Sequence, residues 1–313
     1  MGTVSHRKYI KWHPDEASEP TSTVVLTSPE NRFVDLRILL PPGGSDKLSQ
    51  DPSSFLSSSW IPQNPPQRAP ATAVVVFLFP SLLLPPPSSS SPRFPYLSPA
   101  LLLVSWLTFS EPTTAGQLPL DRLDWAIAGT TSSEAATAPT GEAIRRATFR
   151  HWVSSRHADP RGVSDVGDMY PQHGSSTTLE RGVMVNPATG LPTPYDELWT
   201  DLLAPTSDPI AVLRVDQDGG GPRGMVIWIG TLCQALVRDG ESISLERWEK
   251  SEASVGDDDD DEAVVDEGAW TRTVRMGDRE LPCEEILTGK VMLEKDGVVA
   301  CQGDMWEVVE LHR

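Results

Sequence analysis

The side chains able to do chemistry are scattered, and their spacing matters more than their number. Asp121, Asp124, Glu197 and Asp201 are of the type used for general acid–base work. That work needs two carboxyl groups facing a substrate across a cleft. Here they lie on short segments mixed with apolar residues, so they are expected to be surface or structural pairs. His151 and His157 flank one apolar segment without metal-ligand spacing to a carboxylate or thiol cluster, and are expected to be surface or hydrogen-bonded histidines. Cys233, Cys283 and Cys301 are widely spaced and fit neither a disulfide framework nor a zinc pattern. They are expected to be buried free thiols in a reducing compartment. Gly219–Gly224 is glycine-rich but lies between two apolar β-type runs, where a hairpin turn is expected in place of a phosphate loop. The sequence has no G-x-S-x-G elbow, no H-E-x-x-H pair and no Walker lysine motif. The expectation is therefore no enzyme, no cofactor and no metal.

Two features suit binding better than turnover. Ser251 and Ser254 stand just before an acidic run with five consecutive aspartates, Asp257–Asp261. An aspartate three residues after Ser254 suits an acidophilic kinase, so both serines are candidate phosphorylation sites. The run lacks the spaced ligands and central glycine of a calcium loop. Tryptophans recur along the β-type segments, and Trp125, Trp152, Trp228, Trp270 and Trp306 are expected to be core or barrel-lining residues. A barrel lined this way is either filled by its own side chains or holds one apolar small molecule.

The elements that must position these residues are strands. Thr21–Thr27 is rich in β-branched residues, and Arg32–Leu40 alternates Val34, Leu36 and Ile38 against Asp35 and Arg37. Ser28-Pro29-Glu30-Asn31 between them predicts an antiparallel hairpin. Leu118–Thr130 (LPLDRLDWAIAGT) resumes the style of these first strands, with Asp121, Arg122 and Asp124 expected to satisfy one another beside Trp125. Thr131–Ala143 reads as a polar loop, Ile144–Arg156 as strand or short helix, Asp159–Gly174 as a turn-rich loop, and Thr177–Val185 as a strand. Tyr195–Leu203 is either an amphipathic helix or a closing strand. From Ile210 onward about eight short strands at hairpin spacing, including Val291–Glu294, predict a meander closed as a barrel. Pro282–Leu287 is its one helical candidate, a plug or a connector.

The chain has 313 residues, room for one large or two moderate domains. Its formal net charge of −18 argues against nucleic-acid and anionic-membrane partners, which require a basic surface. The opening residues lack the apolar core of a signal peptide, and the chain is read as intracellular. Residues 45–117 depart from everything around them, being dominated by Ser, Pro and Leu with almost no charge. Their apolar bursts are too short for a membrane span. The preferred reading is translated non-coding sequence such as a retained intron, ahead of a genuine disordered insert or a membrane-active element. Pyrimidine-rich DNA encodes this composition, and Leu107-Thr108 with Gln117 is compatible with a branch point and an acceptor site.

Several phrases stand in a fixed order: KYIKWHPDEASEPTSTVVLTSPENRFVDLRIL, LDRLDWAIAGT, GDMYPQ, TLERGVMVNPATG with YDELW, GMVIWIGTLCQALVRDG with ERW, and GDMWEVVE. Together they resemble the fungal HRI family, named for interaction with a yeast casein kinase 1 homologue. The resemblance omits residues 45–117 and the acidic loop. It implies an all-β chain of two tandem lipocalin-like antiparallel β-barrels in cytoplasm and nucleus, with no established catalytic activity. The domains are then 1–205, interrupted by 45–117, and 206–313, with the acidic loop at 251–268. The expected function is a non-enzymatic interaction protein associating with a casein kinase 1-type protein kinase. The alternative is carriage of an apolar small molecule within a barrel, for which a cavity of about 300 Å³ or more with apolar walls is expected.

Overall fold

The computed structural model describes residues 1–41, 116–172, 174–217, 220–251 and 268–313. Eight antiparallel strands close into a barrel in simple sequential order. They are β1 (Thr3–Trp12), β2 (Thr21–Thr27), β3 (Arg32–Leu39), β4 (Leu123–Thr137), β5 (Ala143–Ser154), β6 (Ser164–Pro171), β7 (Thr177–Val185) and β8 (Pro192–Leu203). Closure comes from β8 pairing with β1, with Arg7 opposite Trp199. Period-two alternation then sends Ser5, Arg7, Asp35, Arg37, Trp125 and Glu197 inward, and Val4, His6, Leu36 and Ala126 outward. Residues 45–117, expected to be translated non-coding sequence, fall almost wholly outside the described residues. The strands on either side of this segment pair directly, β3 with β4, and Phe33 faces Gly129.

The remaining strands form a seven-stranded antiparallel sheet ordered β13-β12-β11-β10-β9-β15-β14. These are β9 (Ile210–Asp216), β10 (Arg223–Ile229), β11 (Leu232–Asp239), β12 (Ser242–Lys250), β13 (Trp270–Met276), β14 (Val298–Cys301) and β15 (Asp304–His312). One edge strand, β13, is partly covered by Gly116–Leu118, which bonds to both backbone groups of Arg275 at 2.7 and 2.8 Å. That covering blunts an otherwise open edge.

One core runs between the barrel wall and the sheet, joining Leu26, Val34, Leu36 and Ala128 to Val212, Ile227, Leu236 and Leu245. The second core lies on the sheet's other face, where the short helix α1 (Cys283–Leu287) seats Cys283, Ile286 and Leu287 against Ala235, Val237 and Trp306. Within the barrel–sheet seam, Gln234 donates to Val24 O (3.1 Å) and Arg247 donates to Leu36 O (3.0 Å). Glu310 on β15 is fully buried and accepts from Ser28 Oγ (2.7 Å) and Glu30 N (3.0 Å) in the β2–β3 turn. Polar groups buried this way orient the two sheets because leaving any one unpaired is costly.

Several expectations need correction. Thr131–Thr137, read as loop, continues β4, and its ribbon with β5 runs to the pair Thr137–Ala143. The loop read over Asp159–Gly174 contains β6, where glycine and proline masked a strand that lies against β5 and β7. Val291–Glu294 is not a strand. The ambiguous Tyr195–Leu203 is strand, as is Ile144–Arg156 up to Ser154. The expected second barrel is, among the described residues, a sheet whose end strands are β13 and β14.

A register shift between Ala128 and Gly129 bends β4 at β5. A Cβ on Gly129 would fall 1.9 Å from Arg150 O, so only glycine lets the strands approach there. Gly129→Ala is expected to destabilise the chain by about 2 kcal/mol through forced backbone movement, read as a lower urea midpoint with unchanged slope.

Candidate functional site

Inside the barrel, the inward positions of all eight strands meet in a chamber of about 100 Å³. Its walls are apolar on one side, with Val25, Phe33, Trp125, Ile127 and Trp199 forming a buried cluster. Phe149 meets Phe33 edge-on at 5.6 Å. Charged groups stand directly beside this cluster, Asp35 opposite Ile127 and Arg37 opposite Trp125 in the β3–β4 register. Arg37 donates to Asp35 Oδ2 (2.9 Å) and to Glu197 Oε1 (2.9 Å). Behind it, Arg7 bonds Glu197, Glu19 Oε2 (2.8 Å) and Thr21 Oγ1 (2.7 Å). Every one of these side chains except Glu19 belongs to a strand, so the pleat alone fixes which way it points.

Burial opposes charge on Arg37, but Asp35 and Glu197 hold it protonated well above its ordinary value. At Asp35, burial outweighs the attraction of Arg37, and the carboxyl is raised. Glu180 is pushed up to about 7 by burial and by the nearby Glu197 charge, against the pull of two donors. Those donors are Tyr195 Oη (2.7 Å) and Trp199 Nε1 (3.1 Å). Near neutrality Glu180 thus exchanges its proton inside the barrel. Space for it comes from a cross-strand glycine pair, Gly167 opposite Gly182. A Cβ on Gly167 would meet Glu180 at 2.4 Å, and one on Gly182 would meet the Tyr195 hydroxyl at 2.6 Å.

Two buried groups on the chamber wall have no hydrogen-bond partner among the described residues: Asp35 Oδ1 and Trp125 Nε1. The Trp125 ring lies 4.2 Å from the Arg156 guanidinium and 5.3 Å from that of Arg37. His151 packs edge-on to Trp125 at 5.7 Å and bonds Asp165 Oδ2 at 2.8 Å.

The residues singled out in the sequence are dispersed by the fold. Of the five tryptophans singled out, Trp125 faces this chamber, beside Trp199. Trp152 turns outward into the barrel–sheet seam, with Arg214 stacked 4.0 Å from its ring. Trp306 is fully buried on the sheet's second face, and Trp228 packs edge-on to Trp270 at 6.2 Å beside it. Among the four carboxylates considered, Glu197 and Asp201 line the chamber. Glu197 is held by two arginines, while Asp201 accepts from Ser5 (2.7 Å) and Thr178 (2.9 Å). Asp124 pairs with Arg156 and Arg122 donates to Leu39 O, so the expected mutual pairing of Asp121, Arg122 and Asp124 does not form. The three cysteines are buried and free. Ser251 is exposed, and Ser254 lies outside the described residues. The sequence analysis missed Arg7, Asp35, Arg37 and Glu180. Charge at every second position of β3 is visible in the sequence, but its period is equally that of a strand with one buried, apolar side.

The model of the family described as Protein HRI1 matches residues 3–310. The chain belongs to the HRI1 family. The match spans the barrel and the sheet together. No curated protein matches the chain. Among solved structures, the fold is similar to the crystal structure of the uncharacterized protein YLR301w from Saccharomyces cerevisiae. The two share 15% identity with a TM-score of 0.54, and each chain is covered in full. At that identity the likeness concerns fold alone.

Proposed function

We propose that this HRI1-family chain works as a non-enzymatic interaction protein of cytoplasm and nucleus, associating with a casein kinase 1-type protein kinase. The kinase is the partner that the family resemblance implies. The observation that supports an encounter of this kind is the placement of Ser251. Its side chain is exposed at the end of β12, where its Oγ accepts from Ala269 N (2.9 Å) and its backbone N donates to Ala269 O (3.0 Å). Ser251 therefore closes the neck of a loop whose sequence is strongly acidic. A basic substrate groove is steered toward such a loop, and a phosphate at Ser251 breaks the clamp to Ala269 and adds charge beside like charge. Incubation of the full chain with casein kinase 1 and ATP is expected to place phosphate on Ser251 or Ser254. Replacing Asp257–Asp261 with asparagine should slow that labelling about ten-fold, an effect of the size that removal of steering charges produces. Phosphopeptide mass spectrometry finding both serines unmodified would remove the support.

A second reading is that the barrel holds a small molecule, in keeping with the lipocalin-like barrel that the resemblance implies. An eight-stranded sequential barrel is the architecture of that class. The observation favouring an occupant is the pair of unpartnered groups, Asp35 Oδ1 and Trp125 Nε1, on the wall of one cavity. The lining turns this reading away from an apolar ligand. A volume of about 100 Å³ is also well below the roughly 300–1,000 Å³ of pockets for drug-sized molecules.

A further inference from the structure

We propose that the barrel chamber is a binding site for a small hydroxylated organic ammonium ion, seated between Asp35 and the rings of Trp125 and Phe149. The inference rests on the reading of the barrel as a ligand holder and names the class of ligand.

Charge selects the sign. The lining carries Asp35, Asp165, Glu180, Glu197 and Asp201 against Arg37 as its one guanidinium. Arg37 is committed to Asp35 and Glu197, and Arg7 stands behind Glu197. Even with Glu180 protonated, the walls repel an anion and attract a cation.

Hydrogen bonding selects the functional groups. Asp35 is 4% exposed and its Oδ2 is bonded to Arg37, yet Oδ1 has no donor among the described residues. Trp125 is 6% exposed and its Nε1 has no acceptor. A buried acceptor and a buried donor on one wall call for an occupant with both functions. An ammonium group donates to Asp35 Oδ1, and a hydroxyl oxygen accepts from Trp125 Nε1. The methylene stem between them lies against Phe33 and Phe149, and the aromatic faces add attraction for the cation. Volume selects the size, since about 100 Å³ admits only a molecule of a few heavy atoms.

The test uses the full chain and three probes of matched size: ethanolammonium, neutral ethylene glycol and acetate. Calorimetric titration is run beside indole N–H spectra. Ethanolammonium is expected to bind saturably and to shift one indole resonance, that of Trp125, identified by its loss in Trp125→Phe. Asp35→Asn should weaken binding about ten- to hundred-fold, the value of one hydrogen bond to a charged group. Asp35→Asn disturbs Arg37 as well, so Phe149→Trp provides a second variant that fills the chamber without altering any charge. It should abolish binding while the protein remains folded by circular dichroism. Ethylene glycol or acetate binding as tightly as ethanolammonium would overturn the ammonium assignment and leave the ligand-holder reading standing. Unaltered ethanolammonium binding by Phe149→Trp would overturn the chamber as the site. Failure of all three probes to bind would overturn both, leaving water as the partner of Asp35 and Trp125.

Discussion

Glu197→Gln is expected to be among the most damaging single changes in the barrel, lowering stability at pH 7 by about 3–5 kcal/mol. That is the usual cost of removing one member of a buried ion pair and stranding its partner. Glu197 is 1% exposed and its Oε1 receives both Arg7 and Arg37. Arg7 keeps Glu19 and Thr21, and Arg37 keeps Asp35. Each guanidinium nevertheless loses a full negative charge where water does not replace it. Urea unfolding measures the effect, and a loss below about 1 kcal/mol would mean that solvent reaches the cluster. The triple change Asp35→Leu, Arg37→Leu and Glu197→Leu, which leaves Arg7 with Glu19, separates stranding from the worth of the cluster. It should recover part of the loss, because apolar side chains of similar volume escape the desolvation cost.

The same cluster explains what the sequence revealed and what it hid. Strand character was legible wherever short runs rich in β-branched or apolar residues stand between turn signals, as in Thr21–Thr27 and Arg223–Ile229. Turn chemistry marked Asp239-Gly240 equally well. Ser164–Pro171 was missed because it contains Gly167 and Pro171 and few apolar side chains. Its glycine is there to admit Glu180, a reason that exists only across strands. The inverted alternation of β3 misled for a related physical cause. Val34, Leu36 and Ile38 face the neighbouring sheet, so both faces are buried and the polar side is the barrel interior. A single sequence shows that charges alternate with apolar residues. It does not show that Glu197, far along the chain, arrives to neutralise Arg37. Long-range closure of β8 on β1 creates the site, and local pattern carries no trace of that pairing. The tryptophans illustrate the same limit: Trp125 and Trp152 lie on neighbouring strands, yet one faces the chamber and the other the barrel–sheet seam.

Glu180→Gln should change how stability depends on pH by about 3 kcal/mol, and the direction follows from two buried groups that oppose each other. Glu180 is raised from 4.5 to about 7, so the folded chain holds its proton where the unfolded chain has released it. Its stabilisation is complete below pH 4.5 and is lost as pH rises through 7, at about 1.4 kcal/mol per unit. His6 faces the barrel–sheet seam and is lowered from 6.5 to about 4 by burial first and the Arg247 charge second. Its contribution is complete above pH 6.5 and is lost as pH falls through 4. Between pH 4.5 and 6.5 the slopes have opposite signs, and this pair leaves the wild-type profile nearly flat. Glutamine keeps an acceptor for Trp199 Nε1 and a polar partner for Tyr195 Oη while removing the titration. The variant should then gain stability with rising pH across that window, unmasking His6, and be more stable than wild type at pH 7.5. Urea midpoints at pH 4.5, 5.5, 6.5 and 7.5 give the measurement. A variant profile parallel to wild type would mean that Glu180 stays ionised in the folded barrel. Because the Glu197 charge helps to raise Glu180, Glu197→Gln should itself shift part of the wild-type slope in the same direction, linking the two variants through one buried cluster.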